Sequence, residues 1–153
     1  MDYIPLDSFS HYSDCAAFVS DLGYNLVELK ITPQKGVVRI SAVVSSKDSS
    51  VLLSVNDCAK VHRALLTHLE EILGHDDIAM ELSSPGMERN IKNAAEFVFF
   101  VGRKIRVFSR SSSDWIYGTI LSSDKNRLSL KMDDGSTKEF SFDDIAKAKF
   151  LGA

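Results

Sequence analysis

Ile78-Ala79-Met80-Glu81-Leu82-Ser83-Ser84-Pro85-Gly86-Met87-Glu88-Arg89 is the stretch at which this 153-residue chain changes architecture. Ile78, Met80 and Leu82 alternate with Ala79 and Glu81, and a period of two predicts a strand. Ser-Ser-Pro-Gly cannot extend it. Proline fixes φ and has no amide hydrogen for a ladder, and the glycine beside it reaches positive φ, so the segment must turn. The expected hinge is made of Ser83, Ser84, Pro85, Gly86 and Arg89. The two serines lack the Gly-x-Ser-x-Gly surroundings of an esterase nucleophile, so turn chemistry is the favoured reading. Arg89 is expected to act structurally, by hydrogen bonds to carbonyls, with phosphate binding as its alternative.

Upstream of the hinge, Phe9, Tyr12, Ala16 and Val19 predict a helix over about 8–22, stopped by Gly23. Val27, Leu29 and Ile31, then Val38, Ile40, Ala42 and Val44, predict strands over 24–31 and 37–44 joined at Pro33–Gly36, with a polar loop over 45–50. Ser54 is the expected cap of the clearest helix. Its stripe of Cys58, His62, Leu65, Leu69 and Ile72 is widened by Val55, Ala59, Leu66 and Leu73 and closed by Gly74.

Downstream, 91–101 is amphipathic and reads as a short helix or linker turn. Short strands follow around Ile105 and Val107, over 115–121, and at Leu128, Leu130 and Met132. Asp133-Asp134-Gly135-Ser136 predicts a hairpin turn, with Phe140 and Phe142 on the returning strand, and Gly118 is the expected bend that lets a barrel close. The expected fold is α+β in three segments. Residues 1–84 form a KH-like α/β sandwich of order helix-strand-strand-helix-strand, 85–102 a linker carrying the hinge and a short helix, and 103–153 a small SH3-like or Sm-like β-barrel.

Charge divides the same way. Residues 1–90 carry 7 Lys+Arg against 13 Asp+Glu, whereas 91–153 carry 11 against 8, so the two halves are suited to different surfaces. Arg103, Lys104, Arg106, Arg110, Lys125 and Arg127 are the candidate phosphate contacts, with Lys131 further on. Strand alternation predicts Lys104, Arg106 and Phe108 on one face, opposite Ile105 and Val107. Without an aromatic-rich stacking motif, the expected mode is shape and backbone contact. Glu70, Glu71, Asp76 and Asp77 form an acidic cluster at the end of the main helix, suited to a basic protein.

Cys15 and Cys58 are expected to be reduced, buried thiols of a cytosolic chain, and no run of residues is apolar enough to span a membrane. Cys58 and His62 lie four apart, which raises a thiolate–imidazole pair as an alternative to core packing. No metal-ligand spacing or phosphate-cradling glycine loop is present, so neither a metal nor another cofactor is expected.

Along nearly its whole length the chain resembles the bacterial ribosome maturation factor RimP family. The resemblance rests on Gly23–Glu28, Val55–Arg63, Glu81–Arg89, Phe100–Gly102 and Asp144–Lys149, in the family's order. Asn90 stands where the family usually has proline, Glu88 where it often has aspartate, and Ala42-Val43 where an isoleucine-aspartate-like pair is usual. The resemblance implies a cytoplasmic, non-catalytic factor that binds the immature small ribosomal subunit transiently. It would aid rRNA conformation and the incorporation of small-subunit ribosomal protein twelve. A monomer with no small-molecule substrate and no membrane partner is expected. The alternatives are a small Cys/His enzyme and a peptide-binding adaptor using the SH3-like barrel with Trp115 and Tyr117.

Overall fold

A computed structural model describes residues 1–48, 51–85 and 89–151. Gly86 of the expected hinge and Glu88 of the family block lie outside the described residues. The chain forms two compact units, Leu6–Pro85 and Met1–Pro5 with Gly86–Ala153.

In the first unit, α1 (Tyr12–Asp21) starts later than its periodicity predicts. Leu6–Ser8 is a separate 3-10 turn, and His11 takes a left-handed conformation at φ 60°, which interrupts a helix over 8–22. Gly23, at φ 98°, then turns the chain into β1 (Tyr24–Gln34). β1 pairs antiparallel with β2 (Val37–Ser46) through a two-residue connection, Lys35-Gly36. Pro33 is tolerated in β1 because this strand is at the sheet edge. Ser45 and Ser46, expected in a polar loop, belong to β2.

α2 (Val55–Leu73) carries the expected cap in a fuller form than Ser54 alone. Ser54 Oγ accepts from the Asp57 amide at 3.1 Å, and Asp57 Oδ2 accepts from the Ser54 amide at 3.1 Å, so two otherwise orphaned donors are satisfied. The helix buries Val61, Leu65 and Leu69 most deeply. Cys58 and His62 flank that line half-buried, and Val55 is exposed, so the buried stripe is rotated from the expected one. β3 (Ile78–Ser83) runs parallel to β2, and the sheet order is β1-β2-β3. Tyr12, Cys15 and Val19 of α1 and the α2 stripe share one core with Leu26, Leu29, Ile40, Ala42 and Val44 of the sheet. Each fully buried aliphatic there contributes about 1.5–3 kcal/mol of burial.

The second unit is built on one sheet of order β4-β9-β5-β6-β7-β8. Its strands are β4 (Asn90–Ile91), β5 (Lys104–Ser109), β6 (Asp114–Ser123), β7 (Arg127–Lys131), β8 (Thr137–Ser141) and β9 (Ile145–Phe150). All pairings are antiparallel. The stretch expected as a linker is part of this core: Ile91, Ala94, Ala95, Phe97 and Phe100 are buried, the last four in a 3-10 helix, Ala94–Phe100, capped by Asn93. Met1–Pro5 also belongs here, not with the helical unit. Asn93 holds the Ile4 backbone by two 2.9 Å hydrogen bonds, one in each direction, and Tyr3 stacks on Phe142. Phe142 lies in a 3-10 turn, Phe142–Asp144, rather than on the returning strand.

Gly118 answers to packing. A Cβ there would lie 3.1 Å from both Leu130 Cβ and the Lys131 carbonyl oxygen, so its absence lets β7 approach β6 closely. The expected turn at 133–136 is present, with Gly135 at φ 88° and Asp134 Oδ1 accepting from the Ser136 amide at 2.9 Å.

Candidate nucleic-acid interface

The face of the second unit that carries cations follows from strand alternation. Ile105, Val107 and Ser109 of β5 point into the core, which leaves Lys104, Arg106 and Phe108 on the other face as expected. Residues directly paired across an antiparallel ladder share a face. Arg106 pairs with Tyr117 on β6 and Lys149 on β9, and Phe108 pairs with Trp115 and Lys147. Two adjacent rows therefore combine cation and aromatic side chains. The Arg106 guanidinium lies 4.5 Å from the Trp115 ring centre, and Phe108 meets Trp115 edge-on at 5.5 Å.

A groove of about 610 Å³ runs along this face, lined by Lys92, Arg106, Arg110, Lys147 and Lys149 beside Trp115, with Asp2 the single carboxylate among its lining residues. Among the described residues none of these five cations forms an ion pair. Concentrated positive charge over a low-dielectric wall attracts a polyanion and makes binding salt-dependent.

Arg110 is fixed at the groove by its backbone. Its amide donates to the Asp144 carbonyl at 2.8 Å, the Ser111 amide to Asp144 Oδ1 at 2.8 Å, and Ser109 Oγ to Asp144 Oδ2 at 2.6 Å. The Ser109 and Ser111 hydrogen bonds hold the Asp144 carboxyl below the usual carboxylate range.

The other candidate cations divide into separate environments. Arg103 packs its guanidinium 4.2 Å from the Phe150 ring centre, and partial burial lowers its pKa. Lys104 is exposed on β5 but does not line the groove. Lys125 and Arg127 line a second concavity, with Tyr3, Asn126 and the carboxylates of Asp2 and Asp143. Arg127 is also paired with Glu139 at 3.1 Å. Only Arg106 and Arg110 of the six expected contacts meet in the basic groove. Lys92, Lys147 and Lys149 join them from outside that set, and the alternation Lys147-Ala148-Lys149 within a strand is the signal for two of them.

In the helical unit, Glu70 and Glu71 occupy the last turn of α2, and Asp76 and Asp77 follow its Gly74 cap. Glu71, Asp76 and Asp77 are exposed and Glu70 is half-buried. Acidic side chains are mildly unfavourable at a helix C-terminus, so this cluster is not explained by helix stability.

Cys58 and His62 do not form a dyad. His62 Nε2 is 2.8 Å from the Met80 carbonyl oxygen, which ties α2 to β3, and burial followed by the nearby Asp57 charge raises the Cys58 pKa. A thiol held protonated is a poor nucleophile. A contact invisible in the sequence joins Asp14, Cys15 and His68, whose ligand atoms lie within 4.8 Å of one another. His68 Nε2 is 2.9 Å from Asp14 Oδ2 and its ring stacks on Phe18 at 4.2 Å. Burial, then the Asp14 charge, pushes the Cys15 thiol up to about 11, opposing the deprotonation that metal binding requires. The trio fastens α1 to α2.

At the hinge, Ser83 ends β3 and Ser84 and Pro85 follow it. Arg89 meets a carboxylate where carbonyls were the expected acceptors: Nε and Nη2 reach Glu96 Oε1 at 3.0 and 2.6 Å, with the side chains 16% and 6% exposed. Its carbonyl also accepts from the Phe150 amide at 3.0 Å.

Residues 14–88 match the RimP N-terminal domain. The chain is similar to the RimP family. A ribosome maturation factor RimP of Borrelia hermsii (strain HS1 / DAH) is 29% identical over 128 residues, covering 84% of this chain and 85% of that protein. RimP is thus a ribosome maturation factor family, and ribosome biogenesis is the setting in which the basic groove is read. Among the described residues no helix is long and apolar enough to cross a membrane.

Proposed function

We propose that this RimP-like chain is a non-catalytic factor that binds the immature small ribosomal subunit transiently in the cytoplasm. The observation that carries the reading is the groove in which Lys92, Arg106, Arg110, Lys147 and Lys149 face a common space, in a chain similar to a ribosome maturation family. The β unit supplies the rRNA contact. The acidic end of α2, with Glu70, Glu71, Asp76 and Asp77, supplies a complementary surface for small-subunit ribosomal protein twelve, whose incorporation the factor assists. No covalent step is needed. A monomer that binds one rRNA conformation more tightly than another shifts the population by that difference in affinity.

The test is co-sedimentation of the full chain with small subunits, large subunits and intact ribosomes at low and moderate salt. Selective, salt-sensitive association with small subunits is expected. Equal association with large subunits, or none with any particle, overturns the reading.

A further inference from the structure

We propose that the groove around Trp115 takes a segment of unpaired RNA, with phosphates on Lys147, Lys149 and Arg110 and a base stacked at Trp115. This inference rests on the rRNA-binding reading of the β unit and names the form of RNA that it selects.

Three features favour a single strand. The cations come from different parts of the fold: Lys92 after β4, Arg106 on β5, Arg110 in the β5–β6 turn, and Lys147 and Lys149 on β9. Spread over these segments, they can meet successive phosphates, whereas a compact anion would need them converging on one point. Lys147 and Lys149 are separated by the two-residue repeat of a strand, about 6.7 Å, similar to the step between successive phosphates of an extended strand. The groove also contains an aromatic ring. Trp115 is half-buried, packed edge-on by Phe108 and approached by the Arg106 guanidinium at 4.5 Å. A duplex keeps its bases stacked inside and presents phosphates and groove edges, leaving the indole unused. An unpaired base can stack on the Arg106 guanidinium that lies over the indole, or displace it and stack on the indole itself. The volume of about 610 Å³ is large enough to hold about two nucleotides.

Trp115 is the only tryptophan, so its fluorescence reports from the groove itself. The experiment titrates the full chain with a mixed-sequence single-stranded RNA of about ten nucleotides, within the usual site size, and with the same sequence as a duplex, at two salt concentrations. Single-stranded RNA should quench Trp115 saturably and bind about tenfold more tightly than duplex. Lys147→Gln with Lys149→Gln should weaken that binding and reduce the salt slope by roughly 1.4, from about 0.7 per contact. Trp115→Ala, followed by anisotropy of labelled RNA, should lose the preference for single strands while keeping salt-dependent binding. Trp115→Phe preserves an aromatic surface and should retain the preference if truncation to alanine unfolds the unit. Equal or tighter binding of duplex, an unchanged fluorescence at saturating RNA, or an acidic peptide that displaces the RNA and binds more tightly overturns the proposal. Co-sedimentation separates the two readings. A chain that still selects small subunits but shows no preference for single strands retains its ribosomal role and loses this inference.

Discussion

The helical unit, Leu6–Pro85, has 6 Lys+Arg against 11 Asp+Glu, whereas Met1–Pro5 with Gly86–Ala153 has 12 against 10. The first lays two helices on a three-stranded sheet and fills their interface with aliphatic side chains. The second builds on six short strands, closes several turns with carboxylates, and keeps an ion pair in its interior. The overall charge difference is modest, so composition alone does not single out a cationic surface. Alternation does, by collecting Arg106, Lys147 and Lys149 on one face.

The contrast in interior chemistry is broken most severely at Arg89. Arg89→Ala leaves the buried Glu96 carboxylate without this partner and should cost about 3–5 kcal/mol by urea unfolding. Arg89→Ala with Glu96→Gln should recover part of that loss. A loss below about 1 kcal/mol for the single variant would mean that other contacts of Glu96 suffice and that this ion pair does not hold the β unit together.

Leu65→Ala tests the aliphatic interior of the helical unit. The side chain is fully buried in the core shared by α1, α2 and the sheet, so truncation should cost about 2–5 kcal/mol. Hydrogen exchange should show loosening of α2 and its sheet. Under conditions where both units stay folded, salt-dependent RNA binding should remain. Loss of that binding alongside a folded β unit would show that the contact surface is not confined to that unit.

The smallest expected effect is the response to acid. Asp57 is held low by hydrogen bonds from Tyr24 and Ser54, Asp124 by the amides of Asn126 and Arg127, Asp134 by Ser136, and Asp144 by Ser109 and Ser111. Each folded pKa lies below its unfolded value, so the unfolded chain binds more protons between them. The associated stability is present above the unfolded carboxylate range and is lost as pH falls through the folded pKa. Three of these four carboxylates are in the β unit and one caps α2. Acid should therefore loosen the β turns more than the helical unit, as read by residue-level hydrogen exchange. Replacing Asp144 with Asn should flatten the response near the β5–β6 turn.

Local signals in the sequence differ between the two units. Ser54, Gly74 and the alternation of β1 and β2 carry local signals, and the helix-strand-strand-helix-strand order follows from them. The period around Ile105 and Val107 likewise places Arg106 on the correct face. β9 is harder to read because Ala146 and Ala148 give a weak apolar signal, and its pairing with β5 shifts register between Phe108 and Ser109. That weak signal conceals Lys147 and Lys149. Lys92 was hidden in a stretch whose apolar residues pack into the β unit instead of linking two domains. Trp115 and Arg106 meet because β5 pairs with β6, a tertiary fact that spacing along the chain does not contain.

The most direct test is the salt dependence of small-subunit binding for the full chain and for a variant carrying Arg110→Gln, Lys147→Gln and Lys149→Gln. Loss of three phosphate contacts should weaken binding and lower the log–log salt slope by roughly 2–3, with the fold unchanged by circular dichroism. Unchanged affinity and slope would contradict the assignment of the basic sheet face as the ribosomal contact.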